Sequence, residues 1–281
     1  MPAFLQPSSL SEAWSALKEN EDVRFLAGGT DLIVLMRQGA VKCGAVMDVK
    51  KIPELSVFGF KDGALEIGGA VTCAQILEAH ETEGPYGILK QAAVTLANSL
   101  LRNRATLAGN LCNASPGGDM IPASLVLGAS VVAASPRGER EIPLKDFFLG
   151  VKKHVLARDE IVLRVVFPKI QGGGVYLKKR RIRGHDLAQV GVAGFYDGGL
   201  RFALGAVGPT PVLVDFGRIP EAELLERKAE IVETVAAEAK PITDIRASKE
   251  YRLAMTRLFA GRILDALSSC SRPLAVEEAA Q

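Results

Sequence analysis

The chain has 281 residues, 48% of them apolar, and a formal net charge of +2. That length and apolar content build a core without staples and exclude a disordered chain. The near-neutral charge argues against nucleic acid or an anionic membrane as partner.

The N-terminus MPAFLQPSSLSEAW carries neither a basic segment nor a long apolar one, so no secretory leader is expected. No uncharged apolar run reaches the length of a membrane span. Ser9 or Ser11 caps a first helix over Glu12–Lys18, and Val23–Ala27 reads as a strand. Gly28-Gly29 turns the chain. Thr30 and Asp31 sit where an N-cap belongs, LIVLMRQG follows as a helix, and Gly39 stops it. Ala45–Val49 is a second strand, which makes the first fifty residues helix–strand–helix–strand.

Leu65–Ile67 is a strand, Thr72 opens a helix to Glu78, and Tyr86–Asn98 is helical and leads to a second glycine loop. Pro122–Gly128 continues as helix, with Val131–Ala134 and Glu160–Phe167 as strands. Gln171-Gly-Gly-Gly174 marks the best domain boundary. Beyond it, Val175–Arg181, Gln189–Tyr196 and Leu200–Val207 read as strands, the last two joined by an Asp197-Gly198-Gly199 hairpin turn. Glu221–Ala239 carries Leu224, Leu225, Ile231, Val232 and Val235 at helical spacing. Ser248 caps a last helix with Tyr251, Met255, Leu258, Phe259, Ile263 and Leu267 inward, and the tail after Cys270 reads as loose.

The chemistry concentrates in the two glycine loops. A helix N-terminus presents unpaired N–H groups and a partial positive charge, so strand–Gly-Gly–cap–helix over Ala27–Asp31 makes an anion site without a lysine. Thr106–Asn110 is a second backbone-rich turn, and two such turns face to face can hold a pyrophosphate. Either one can equally be a structural junction that binds nothing. GxGxxG, GxxxxGK[ST] and GxSxG are all absent, which disfavours Rossmann, P-loop and hydrolase readings. Cys43, Cys73, Cys112 and Cys270 are scattered and read as reduced thiols; His80, His154 and His185 show no ligand spacing. No metal site is expected, so redox chemistry here needs an organic cofactor.

The segments FLAGGTDL (25–32), RNRATLAGNLCNASPGGDMIPA (102–123), DEIVLRVVFP (159–168), KKRRIRGHDLAQVGVA (178–193), ALGAVGPTP (203–211) and SKEYRLAM (248–255) together resemble the FAD-binding medium subunits of molybdenum hydroxylases. That family includes the xanthine and carbon monoxide dehydrogenases. The resemblance implies an α+β fold of the vanillyl-alcohol-oxidase type. Two α/β subdomains, about 1–54 and 55–171, would wrap FAD, and a C-terminal domain, 172–281, of antiparallel strands and helices would cover the flavin.

It further implies that Phe25, Leu26, Ala27, Gly28, Gly29, Thr30, Asp31 and Leu32 form one pyrophosphate loop. Thr106, Leu107, Ala108, Gly109 and Asn110 would form the other, with Ser115 beside it. Asp119 would reach cofactor hydroxyls, or else cap the following helix. Leu96 and Val162 would pack on the cofactor, and Lys178 would lie near the flavin ring, unless Lys179 takes that place. Ala108 stands where relatives often carry glycine, which matters if that position needs a positive φ. The implied activity is electron transfer from an iron–sulfur subunit with two two-iron two-sulfur clusters, through FAD, to NAD⁺ or a quinone-type acceptor. A molybdopterin-binding large subunit would complete a cytoplasmic complex, a dimer of heterotrimers. The alternatives are a self-contained FAD oxidoreductase on the same fold and a non-catalytic nucleotide-binding module.

Overall fold

The computed structural model describes residues 2–182, 184 and 186–268; Arg183, His185, Cys270 and the tail beyond it lie outside the described residues. The chain opens with β1 Ala3–Leu5, α1 Leu10–Glu19, β2 Val23–Leu26, α2 Leu32–Arg37 and β3 Ala45–Asp48. The strands order β1-β3-β2 with both pairs parallel, so α2 is the crossover that parallel pairing requires. Ser9 caps α1, its Oγ accepting the Glu12 N–H at 3.2 Å. The strand β1, bounded by Pro2 and Pro7, is an addition to the sequence reading: three residues are too few for a period to register.

Next come β4 Phe58–Lys61, β5 Ala64–Gly68, α3 Cys73–Glu78, α4 Gly87–Thr95, α5 Ser99–Arg102, α6 Leu107–Cys112, α7 Met120–Val126, β6 Ser130–Ser135, β7 Gly138–Pro143, the β8 Phe148–Gly150 and β9 Lys153–His154 hairpin, and β10 Ile161–Phe167. Five of these strands form a sheet in the order β4-β5-β10-β6-β7. β10 is its centre, flanked antiparallel by β5 and β6, which is why IVLRVVF is apolar almost throughout. Thr72 and Gln75 close a reciprocal capping box at the start of α3.

The last part is β11 Gly173–Lys179, β12 Val190–Tyr196, β13 Gly199–Gly205, β14 Val212–Arg218, α8 Glu223–Glu226, α9 Lys228–Glu238 and α10 Lys249–Ser268. Its four strands pair in sequence order, all antiparallel. At the β12–β13 turn Gly198 takes φ 90° and the Asp197 carboxylate accepts the Gly199 N–H. The single helix expected over 221–239 is two, broken at Arg227. On α10, Tyr251 and Leu258 point outward, 39% and 43% exposed. The inward stripe is instead Arg252, Thr256, Phe259, Ile263 and Leu267, set by the buried Arg252 guanidinium, which donates to the carbonyls of Gln189 and Ala206.

One hydrophobic core joins α4 and α7, the five-stranded sheet, and Tyr176, Ala193, Phe195 and Ala203 from the four-stranded sheet. A second fills the other face of that sheet against α9 and α10. A third ties the parallel sheet to Ile161 and Leu163 of β10. Among the described residues no helix is long and apolar enough to cross a membrane.

Candidate functional site

The two glycine loops touch. A Cβ on Gly28 would lie 2.1 Å from the carbonyl oxygen of Arg104, so only glycine lets the turn after β2 press against the strand-like approach to α6. Gly29 has φ 75°, a left-handed turn residue packed on Leu26 and Ile33. The N–H groups of Gly28 to Leu32 find no protein acceptor among the described residues. Asp31 sits at the N-cap position of α2 without a capping bond from its side chain, and α2 buries no residue. The loop is held from below by Lys50, whose ammonium donates to the Ala27 carbonyl at 3.0 Å and to Asp48 at 2.6 Å.

In the second loop Thr106 caps α6, its Oγ1 accepting the Gly109 N–H at 2.9 Å. Ala108 lies inside α6 with no positive φ, so a residue with a Cβ fits there without strain. Asn110 accepts the Met120 N–H on its side-chain oxygen at 3.2 Å, stitching α6 to α7. Its amide NH₂ has no acceptor among the described residues.

Between these loops and the sheet edges lies a cavity of about 820 Å³. That is in the upper part of the roughly 300–1,000 Å³ usual for small-molecule sites. Phe25 to Leu32, Leu96, Thr106, Ala108, Gly109, Asn110, Ser115, Asp119 and Val162 all line it. Two of the residues singled out from the sequence do not. Leu107, the first residue of α6, is fully buried in the main core. Lys178 is also absent from the lining.

Lys178 does something else. Its ammonium makes a 2.8 Å ion pair with Asp119, the two side chains 2% and 8% exposed, and donates to the Thr95 carbonyl at 3.0 Å. The other Asp119 oxygen accepts the Tyr176 hydroxyl at 3.1 Å. Asp119 is not a helix cap: it has helical backbone angles and no capping bond. Burial pushes its carboxyl up, and the Lys178 ammonium and Tyr176 hydroxyl pull it back. Lys179, next along β11, points to the opposite sheet face, as strand alternation dictates.

Sequence reasoning missed several wall residues. His154, Leu156, Arg158, Glu160 and Leu187 line the cavity from the β9–β10 connection and the segment after β11, with Asp186 beside Leu187. His154 stacks on Phe147 at 5.5 Å, and burial pushes its pKa down, so it offers a neutral polar edge. Its Nδ1 is buried with no partner among the described residues. No spacing in the sequence marks these positions. The free loop N–H groups and the cavity's size fit a long polar ligand with an anionic middle.

Two backbone-rich turns facing one large cavity, without a Rossmann signature, define a dinucleotide-binding protein of non-Rossmann type. Residues 2–170 match the family model described as the FAD binding domain in molybdopterin dehydrogenase. The chain is 30% identical over 280 residues to the xanthine dehydrogenase FAD-binding subunit of Escherichia coli O157:H7, covering 93% of this chain and 94% of that protein. It is 27% identical over 271 residues to the carbon monoxide dehydrogenase medium chain of Hydrogenophaga pseudoflava, covering 92% and 94%. Among solved structures, carbon monoxide dehydrogenase from the same organism superposes with a TM-score of 0.87 at 25% identity, over 95% of this chain and 97% of that one. Quinoline 2-oxidoreductase from Pseudomonas putida 86 gives 0.86 at 26% identity, over 96% and 97%. The chain therefore belongs to the FAD-binding family of the molybdopterin dehydrogenases. It is an FAD-binding oxidoreductase subunit of the molybdenum hydroxylase type.

Proposed function

We propose that this subunit carries electrons from an iron–sulfur subunit, through FAD, to NAD⁺ or a quinone-type acceptor, in a cytoplasmic complex with a molybdopterin-binding large subunit. The observation that carries the reading is the cavity floored by two touching glycine loops. The sequence supports the partnership: two two-iron two-sulfur clusters need about eight ligands, and the chain has four cysteines and three histidines. The clusters therefore belong to another chain. A dimer of heterotrimers is the arrangement we expect, by two-fold closure.

When bound, FAD supplies the redox chemistry. The protein's part is to hold it. The free N–H groups of Gly28 to Leu32, in the loop from Phe25 to Leu32, face the pyrophosphate, Thr106 and Ala108 to Asn110 close on it from the second loop, Asn110 with its side-chain NH₂, and Ser115 adds a hydroxyl. Leu96 and Val162 pack on the rings. Asp119 accepts from cofactor hydroxyls, and Lys178 acts through it, fixing the carboxylate's position and charge. The organisation we propose is a cofactor-holding part, 1–171, with subdomains about 1–54 and 55–171, and a covering part from 172 onward. The end of the family match at residue 170 and the change of sheet at β11 support that division.

The test is reduction of the flavin in the isolated, FAD-loaded chain. Purines, aldehydes and carbon monoxide should leave it oxidised, with slow diaphorase turnover of artificial acceptors at most. Addition of the iron–sulfur and molybdopterin subunits should restore rapid reduction. Fast reduction by any such substrate without partners would overturn the subunit reading in favour of a self-contained oxidoreductase.

A further inference from the structure

A second, shallow and largely open depression, of about 340 Å³, lies on the α10 side of the four-stranded sheet. Its walls are Lys179, Arg180 and Arg181 from the end of β11, Arg246 and Ala247 from the loop before α10, Gln189 and Tyr251. Four cationic residues therefore border it, with the Arg180 guanidinium donating to the Gly184 carbonyl and its charge acting on Asp119. Among the described residues no carboxylate lies within ion-pair distance of any of them. Two acids border the cleft, Asp244 and Asp186, and the Arg181 charge acts on Asp186. Asp244 accepts from the Arg252 guanidinium at 2.8 Å and from the N–H groups of Arg246 and Ala247. Asp186 accepts the N–H groups of Arg181, Ile182 and Leu187.

The cleft is also built to keep its shape. Arg252, 4% exposed, bridges the carbonyls of Gln189 and Ala206 to Asp244. Gln189 in turn donates from its side chain to the Arg246 carbonyl. The loop bearing Arg246 is thus clamped to the edge of β12 through its backbone, and the guanidinium itself is left exposed at the cleft. Like charges held together cost free energy unless an anion neutralises them. Guanidinium forks match phosphate oxygens in pairs, and a small depression with a phenol beside it has room for a compact multivalent anion.

We infer that this cleft is a binding site for a diphosphate-class anion, the phosphates of a nucleotide or free pyrophosphate, held by Lys179, Arg181 and Arg246 beside Tyr251. It adjoins the flavin cavity at one end, where Asp186, which lines that cavity, accepts the Arg181 N–H, while Lys179 projects from the face of β11 opposite to Lys178. The inference does not rest on the flavin reading.

The test is calorimetric titration of the FAD-loaded full chain with inorganic pyrophosphate and with ADP at two salt concentrations. Saturable binding should appear and weaken as salt rises. Arg246→Ala and Arg181→Ala should each weaken it roughly tenfold or more, the loss of one charge-assisted contact. Arg246→Lys should fall between, because it keeps the charge and loses the fork. The clamp uses only backbone atoms of Arg246, so these variants should keep wild-type flavin content and melting behaviour. Tighter binding of ADP than of pyrophosphate identifies a nucleotide as the source; equal binding identifies the inorganic anion. No saturable binding overturns the inference. So does an equal loss in the control Lys61→Ala, which would mark general surface charge. Binding to the isolated chain that vanishes in the assembled complex would also overturn it and mark the cleft as a subunit interface.

Discussion

Replacing Asp119 with alanine should unfold the apoprotein more readily than any other single change in the cavity wall. The carboxylate lies 2.8 Å from the Lys178 ammonium, and both side chains are almost fully buried. At an effective dielectric near 20 their attraction is about 6 kcal/mol. Desolvation of each ion costs several kcal/mol against it, so the pair is worth little net. Breaking it is another matter: Lys178 would keep its desolvation cost and lose its counter-charge, a penalty of about 3–5 kcal/mol. Tyr176 would also lose the acceptor for its buried hydroxyl. The assay is urea unfolding of apo wild type, Asp119→Ala, Lys178→Met and the double variant. Each single variant should fall by several kcal/mol. The double should cost less than the two singles added together, by a coupling energy of roughly 1–3 kcal/mol. A loss of only ~1 kcal/mol in Asp119→Ala, with additive behaviour in the double, would refute the ion-pair argument and leave the carboxylate as a cofactor contact alone.

Three further outcomes follow from the same geometry. Gly28→Ala should drive the loops apart at Arg104 and empty the chain of flavin, at a stability cost of about 1–3 kcal/mol; a folded, fully yellow variant by absorbance and circular dichroism would contradict the loop contact. Acid or heat precipitation should release all the flavin, because burial pushes the Cys112 thiol up to about 12 and leaves no ready nucleophile in that loop; colour retained in the pellet would show a covalent link. Arg140, hydrogen-bonded to Glu160 at 2.6 Å, holds that carboxyl below its usual range. Glu160 therefore stabilises the fold above its unfolded pKa of about 4.5 and stops doing so as pH falls through the lower folded value. The melting temperature of Glu160→Gln should match wild type at acid pH and drop below it near neutrality; parallel curves at all pH values would count against this.

Local chemistry was readable and long-range chemistry was not. Ser9, Thr72 and Ser248 announce their helices because a cap and its N–H partner lie three residues apart. The Asp197-Gly198 turn is equally local. The cavity loops were legible for the same reason: strand, glycine and helix start fall within eight residues. β4 and β7 escaped because each is a sheet edge with one wet face, and β7, GEREIP, is more charged than a strand pattern allows. The role of Lys178 was out of reach because its partner lies 59 positions earlier and meets it only once β11 has docked. The resemblance supplied Asp119 and Lys178 as neighbours of the cofactor; only the packing shows that they answer first to each other. His154 had no signal at all, since a lone histidine in a short hairpin looks like any surface residue.

The shared core has a consequence for how this chain can be cut. Tyr176, Ala193, Phe195 and Ala203 are packed among α4 and α7 as members of the same core, on the far side of the glycine run at 172–174. That run is not a hinge: a Cβ on Gly172 would lie 2.1 Å from the Tyr196 carbonyl oxygen, so the linker is wedged rather than loose. A gene fragment ending at residue 171 would leave α4 and α7 with bare apolar flanks and Asp119 without its cation. Such a fragment should be an insoluble half rather than a minimal flavoprotein. Domain-swapped chimaeras between relatives would have to exchange α4, α7 and β11 to β13 together.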